Sequence, residues 1–146
     1  MPADFQIIDI NTLSDETIRQ TLAAMSPLRR ARISAYPPRR LRQSAAAEYL
    51  ARELLFRRTG RRFVTIEQDE NGRPYPENCP CFLSLSHSGG LAAAAVSDVP
   101  VGVDIEIFRS VSPAVLRRFA TETEAAYAGQ DPERILRLWT LKEAYY

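Results

Sequence analysis

Apolar and polar residues alternate most strictly along Val101-Gly102-Val103-Asp104-Ile105-Glu106-Ile107. Alternation over a β-branched run predicts a strand with Val101, Val103, Ile105 and Ile107 on one face. Gly102, Asp104 and Glu106 then share the other face. Weaker alternation predicts strands over residues 5–10 and 63–67. Residues 82–86 alternate as well and run out onto His87-Ser88-Gly89-Gly90. The alanine-rich stretch 91–96 follows a glycine pair and precedes the Asp104 run, so it too reads as a strand. Successive strands from Phe82 to Ile107 predict an antiparallel meander.

Elsewhere the apolar spacing is helical. Ser14-Asp15-Glu16 offers caps for a helix ending near Met25, and Ser26-Pro27 starts another with proline in its first turn, where the missing N–H costs nothing. Arg29 and Arg32 share a face of that second helix, which Pro37-Pro38 ends. The longest helical segment covers residues 40–59, with Ala46, Leu50 and Leu54 along one side and Gly60 as its stop. Asp69-Glu70-Asn71-Gly72 is a polar turn, after which Arg73-Pro74-Tyr75 leads into a loop holding Pro80 and both cysteines. Beyond Phe108, Ser112-Pro113 opens a helix to Phe119, residues 121–128 form a second, and Asp131-Pro132 caps a third that still runs at Tyr146. On it Trp139 and Glu143 lie four apart, as do Lys142 and Tyr146.

A chain of 146 residues is one domain's worth, and 45% hydrophobic with 25% charged residues is ordinary for a soluble globular protein. Nineteen basic and eighteen acidic residues nearly cancel, so bulk charge points to no nucleic acid. Their distribution is more informative. Eleven arginines but only Glu48 and Glu53 among the acids lie between Arg29 and Arg62, a patch suited to phosphate, although solvated helix faces account for most such arginines singly. The only lysine is Lys142. No run nears the ~20 apolar residues of a membrane span, and no signal-peptide pattern opens the chain, so a cytoplasmic protein without a membrane partner is expected. Cys79 and Cys81, with a single histidine in the chain, are too few for a zinc site and read as reduced thiols.

Chemistry concentrates at the Asp104 strand. Two carboxylates one pleat apart repel and raise a pKa unless a cation sits between them. Hard oxygen ligands of this kind suit Mg²⁺, which takes one or two carboxylates and leaves positions for water and phosphate. A solvated face bearing two acids is the alternative. Ser86-His87-Ser88 places hydroxyls and an imidazole at a strand end. Strand neighbours point apart, so this is no nucleophile–base pair, and a phosphate contact fits better. Gly72-Arg73-Pro74 holds a cation on a constrained turn. Trp139 to Glu143 sets an aromatic, an ammonium and a carboxylate on one helix, which a core-facing tryptophan with a flanking ion pair would also explain.

Taken in order, FLSLSHSG (82–89), GVDIE (102–106) and WTLKEA (139–144) resemble the motifs of the 4′-phosphopantetheinyl transferase superfamily. The similarity is to its longer, two-subdomain, surfactin-synthetase-activating type. Ser26-Pro27 with Arg29 and Arg32, and Gly72-Arg73-Pro74, add weaker family patterns. The resemblance implies an α/β (α+β) fold, with an N-terminal subdomain over 1–100 on the nucleotide-binding side and the start of a second over 101–146. It also implies transfer of the phosphopantetheine arm of coenzyme A onto a serine of an acyl, peptidyl or aryl carrier protein, releasing 3′,5′-ADP. By that similarity Asp104, Glu106 and Glu143 would hold Mg²⁺. Glu143 would alternatively take the serine proton, Lys142 would face the pyrophosphate, and Arg29, Arg32, Arg73, Ser86 and His87 would bind the nucleotide and its phosphates.

The chain departs from the family at two places. Gln43 stands where the family often has arginine, with Arg42 beside it. The family's helix motif also continues with a second lysine one position past Tyr146, followed by closing strands. A C-terminally truncated member is therefore expected, weak or inactive by itself, and a monomer once completed. Residues 108–119 are the expected carrier-docking surface, with Leu116 as its probe.

Overall fold

The computed structural model describes residues 2–145. Strand β1 (Asp4–Asp9) leads through a 3₁₀ turn into α1 (Asp15–Ala24), α2 (Pro27–Ser34) and the long α3 (Pro38–Thr59). A short hairpin follows, β2 (Ile66–Gln68) and β3 (Pro74–Pro76), then β4 (Phe82–Ser88) and β5 (Leu91–Ser97). Three helices complete the described chain: α4 (Pro113–Phe119), α5 (Glu122–Ala128) and α6 (Pro132–Tyr145). The fold is mixed α/β.

Local chemistry sets most of the helix boundaries. The hydroxyls of Ser14, Ser26, Ser112 and Thr121 each accept a backbone N–H of the first turn they precede, and Glu124 returns the bond to Thr121 in a capping box. Gly60 closes α3 in the left-handed region at φ 72°, where a side chain would be strained.

The main sheet is antiparallel with order β1-β5-β4, so β5 is central. That position explains its composition. Ala92 to Val96 are buried on both sides, and a strand covered on both faces reads as an unbroken apolar run. On one side α3 lies across it with Ala45, Ala46, Ala47 and Ala51 buried, small residues that let helix and strand backbones approach closely. Leu50, Leu54, Leu55, Val64, Ile66 and Leu83 complete this core. A separate cluster, Val111, Leu116, Ala128, Ile135 and Leu136, holds α4, α5 and α6 together. Cys79 and Cys81 are free thiols, half-buried against the α3 core.

Several expectations are corrected here. Among the described residues, 101–107 form no strand and pair with none, so there is no three-stranded meander; the third strand of the sheet is β1, brought in from the far end of the chain. Phe63 is 94% exposed and the second strand starts only at Ile66, because its partner is residues 74–76, which the sequence reads as loop. Leu116 is 5% exposed within the three-helix cluster, so it is a core residue and not a docking surface.

Candidate functional site

Residues 101–107 run beside β4 and are fixed to it through side chains. The backbone N–H of Val103 donates to Ser84 Oγ at 3.0 Å, that of Ile105 to Ser86 Oγ at 3.1 Å, and that of Ile107 to Ser88 Oγ at 3.2 Å. The offset is 19 residues at every rung, so the two segments advance together, two residues at a time. Alternate residues of a strand point to one face, which is why Ser84, Ser86 and Ser88 form a row while Leu83 faces the core.

This row places the acids. Ser86 Oγ also donates to Asp104 Oδ1 at 2.8 Å, while Asp104 Oδ2 is buried without a hydrogen-bond partner. Burial pushes the Asp104 carboxyl above its usual range; the Ser86 bond opposes this and the Glu106 charge adds to it. Glu106 accepts from Trp139 Nε1 at 3.1 Å on one oxygen and from Ser88 Oγ at 3.4 Å on the other, with Arg109 Nε at 3.5 Å. Trp139 is held edge-on by Phe119, ring centroids 5.2 Å apart, and Arg109 lies over its indole at 5.6 Å. Helix α6 and the acid segment also meet through backbone. A Cβ on Gly102 would lie 1.7 Å from the Ala144 carbonyl oxygen, a position only glycine allows.

A cleft of about 560 Å³ opens here, with Gly72, Arg73, Asp104 and Glu143 among its walls. Hard oxygens, a buried carboxylate oxygen lacking a donor and a neighbouring acid fit a small divalent cation. The fit extends to two acids. Among the described residues no three of His, Cys, Asp and Glu stand close enough to cage an ion, so Glu143 shares the cleft without joining the pair.

The other sequence-predicted residues are distributed differently. Arg29 is 7% exposed and ion-pairs with Glu48, which is fully buried and also bonds Arg52 Nη2 at 3.1 Å. Its guanidinium therefore ties α2 to α3, against the expectation of a phosphate ligand. Arg32 bonds the side chain of Gln68. Lys142 Nζ lies 3.0 Å from Glu124 Oε2, on α5. Ser86 has its hydroxyl engaged on both sides by the acid segment. His87, half-buried, has its pKa lowered by burial first and by the charge of Arg40 second. Arg42 bonds Asp15 and the Leu13 carbonyl, whereas Gln43 Nε2 donates to the Gly89 carbonyl at 2.8 Å. Gln43 thus supports the turn after β4, while Arg42 is tied to the start of α1. Tyr146, expected beside Lys142, lies outside the described residues. Sequence reasoning missed Ser84, Arg109 and the indole bond to Glu106, and read the Ser88 hydroxyl as a phosphate contact; the period-two serines of 84–88 were the available signal.

Known proteins agree with the motifs. The family model of the 4′-phosphopantetheinyl transferase superfamily matches residues 100–146. The chain is 36% identical over 88 residues to the 4′-phosphopantetheinyl transferase psf-1 of Bacillus pumilus, and 32% identical over 88 residues to a 4′-phosphopantetheinyl transferase of Bacillus subtilis. Each alignment takes in 56% of this chain, and 38% and 39% of those proteins respectively, so the chain spans about two fifths of the length of these relatives. Among solved structures, a holo-(acyl-carrier-protein) synthase from Bacillus anthracis, in complex with CoA (3′,5′-ADP), superposes with a TM-score of 0.54 at 21% identity, over 64% of this chain and 91% of that one. That likeness is one of fold. With the two acids set beside a tryptophan-bearing helix, the motifs and alignments concur: this chain is similar to 4′-phosphopantetheinyl transferases, and the family model's match lies at residues 100–146.

Proposed function

We propose that the cleft binds coenzyme A and serves transfer of its 4′-phosphopantetheine arm to a serine of a carrier protein, releasing 3′,5′-ADP. The observation that carries this reading is the buried, unpartnered Asp104 Oδ2 beside Glu106, in a cleft shared with Arg73 and Glu143. A divalent ion such as Mg²⁺ bound by Asp104 and Glu106 would supply charge neutralisation for the pyrophosphate. The chain's own residues do the rest. Arg73 binds phosphate oxygens from the cleft wall. Glu143, an acceptor on the same wall, takes the proton of the attacking serine hydroxyl. His87 and Arg40 contact the nucleotide phosphates, and Lys142 exchanges Glu124 for pyrophosphate when substrate enters. Attack by the carrier serine needs oriented oxygens and neutralised charge, and no covalent enzyme intermediate.

The test incubates the chain with coenzyme A, Mg²⁺ and an apo carrier protein, and follows the carrier mass and released 3′,5′-ADP. Equal yields of holo carrier and 3′,5′-ADP are expected, with loss of both in Asp104→Ala. Coenzyme A cleavage that needs no carrier would overturn the reading.

A second reading, coenzyme A or carrier binding without transfer, is favoured by one observation: Glu143 is not gathered with Asp104 and Glu106 among the described residues. Calorimetric binding of coenzyme A with no 3′,5′-ADP released would select it.

A further inference from the structure

We infer that the serine row of β4 is a positioning device for the carboxylates, with Ser86 setting which oxygen of Asp104 is offered to a cation. The inference rests on the metal reading above and assigns to Ser86 a role other than the expected nucleotide contact.

A serine hydroxyl has one proton to give and lone pairs to receive. At Ser86 both capacities are used on the same segment: the oxygen accepts the Ile105 N–H, and the proton goes to Asp104 Oδ1. This bond fixes the carboxylate plane and leaves Oδ2 as the free oxygen, buried and without a donor. Ser88 repeats the pattern on Glu106, less tightly at 3.4 Å, with Trp139 holding the second oxygen. Ser84 receives the Val103 N–H, one pleat before Asp104.

The row also sets register. A one-residue slip of an extended segment sends its side chains to the opposite face. Among the described residues no ladder of backbone bonds prevents such a slip, so the hydroxyl rungs at a constant offset of 19 keep both acids on one side. Partners that orient a ligating carboxylate typically contribute about 10–100-fold to metal affinity.

The chain's design supplies the readout. Trp139, its only tryptophan, donates to Glu106, so Mn²⁺ bound at the acids should quench its fluorescence. Mn²⁺ titration of the whole chain, without coenzyme A or carrier, is the experiment, paired with thermal melts of each variant. Ser86→Ala should weaken Mn²⁺ at least about tenfold, and Ser86→Thr, which keeps the hydroxyl, should restore most of it. Ser88→Ala should weaken Mn²⁺ by less. Ser84→Ala, which removes one of the three register rungs but no bond to a carboxylate, should lower the melting temperature and weaken Mn²⁺ clearly less than Ser86→Ala. Equal affinity losses in Ser84→Ala and Ser86→Ala would reduce the row to strand docking and overturn the inference. So would wild-type affinity in Ser86→Ala, and the metal reading would then survive. A wild-type chain that ignores Mn²⁺ would overturn both.

Discussion

At the scale of single residues, the half-buried Asp104 and the fully buried Glu48 are acids with opposite consequences. Glu48 is fully buried between Arg29 and Arg52, and removing one partner of a buried ion pair strands the other charge away from water. Glu48→Ala should therefore cost about 3 kcal/mol or more, read by urea unfolding. Replacing Glu48 and Arg29 together by apolar residues should cost less than Glu48→Ala alone. Asp104 forms no ion pair among the described residues, and the Arg109 charge is the smallest of the influences on it. Its carboxyl pKa is raised above the unfolded value, so any stability linked to its protonation is present at acid pH and lost as pH rises through the folded pKa. Asp104→Asn should accordingly raise the melting temperature of the ligand-free protein at neutral pH, with an advantage that shrinks as pH falls through the folded pKa, while abolishing transfer. His87 carries the reverse sign. Its folded pKa is lowered, so its contribution is present above the unfolded pKa and fades as pH falls through the folded one. A bound phosphate favours the imidazolium. Coenzyme A should then bind more tightly as pH falls from 8 to 6.5, by at most about tenfold per pH unit, and His87→Gln should flatten that dependence in calorimetry.

At the scale of elements, the acid segment and α6 form a unit. The indole bond to Glu106 and the backbone approach at Gly102 are its two fastenings. Gly102→Ala places a methyl group against a carbonyl that cannot move without the helix. It should cost about 1–3 kcal/mol and shift Trp139 emission to the red as α6 lifts. Leu116→Glu should melt the α4–α5–α6 cluster, visible as loss of near-ultraviolet signal, because its side chain lies in that core.

At the scale of the whole molecule, the sequence is a good guide to whatever is local and a poor one to what is not. Helices opened by Ser14, Ser26 and Ser112 stand where those residues predict, since a cap and its helix are sequence neighbours. The strand at 91–96 is legible from its glycine flank. The pairing of β1 with β5 is not, because nothing within either run names its partner. For the 101–107 stretch, alternation correctly groups Asp104 with Glu106 but cannot say that side-chain hydroxyls, not a backbone ladder, receive its N–H groups. Arg29 defeats the reading for a similar reason. Arginine is ordinarily a surface residue, and its buried counter-charge Glu48 is 19 positions away. The motifs pick out Asp104 and Glu106, whereas the links that hold those acids in place emerge only from the three-dimensional arrangement.

The contact between Gly102 and Ala144 has a mechanical meaning. With no room for a side chain at that joint, a tilt of α6 would press on Gly102, two residues from Asp104. Whatever seats against that helix, whether a partner protein or further polypeptide, would thereby adjust the spacing of the acids. Laboratory evolution of altered activity should accordingly recover compensating changes on both sides of this joint, and seldom on one alone.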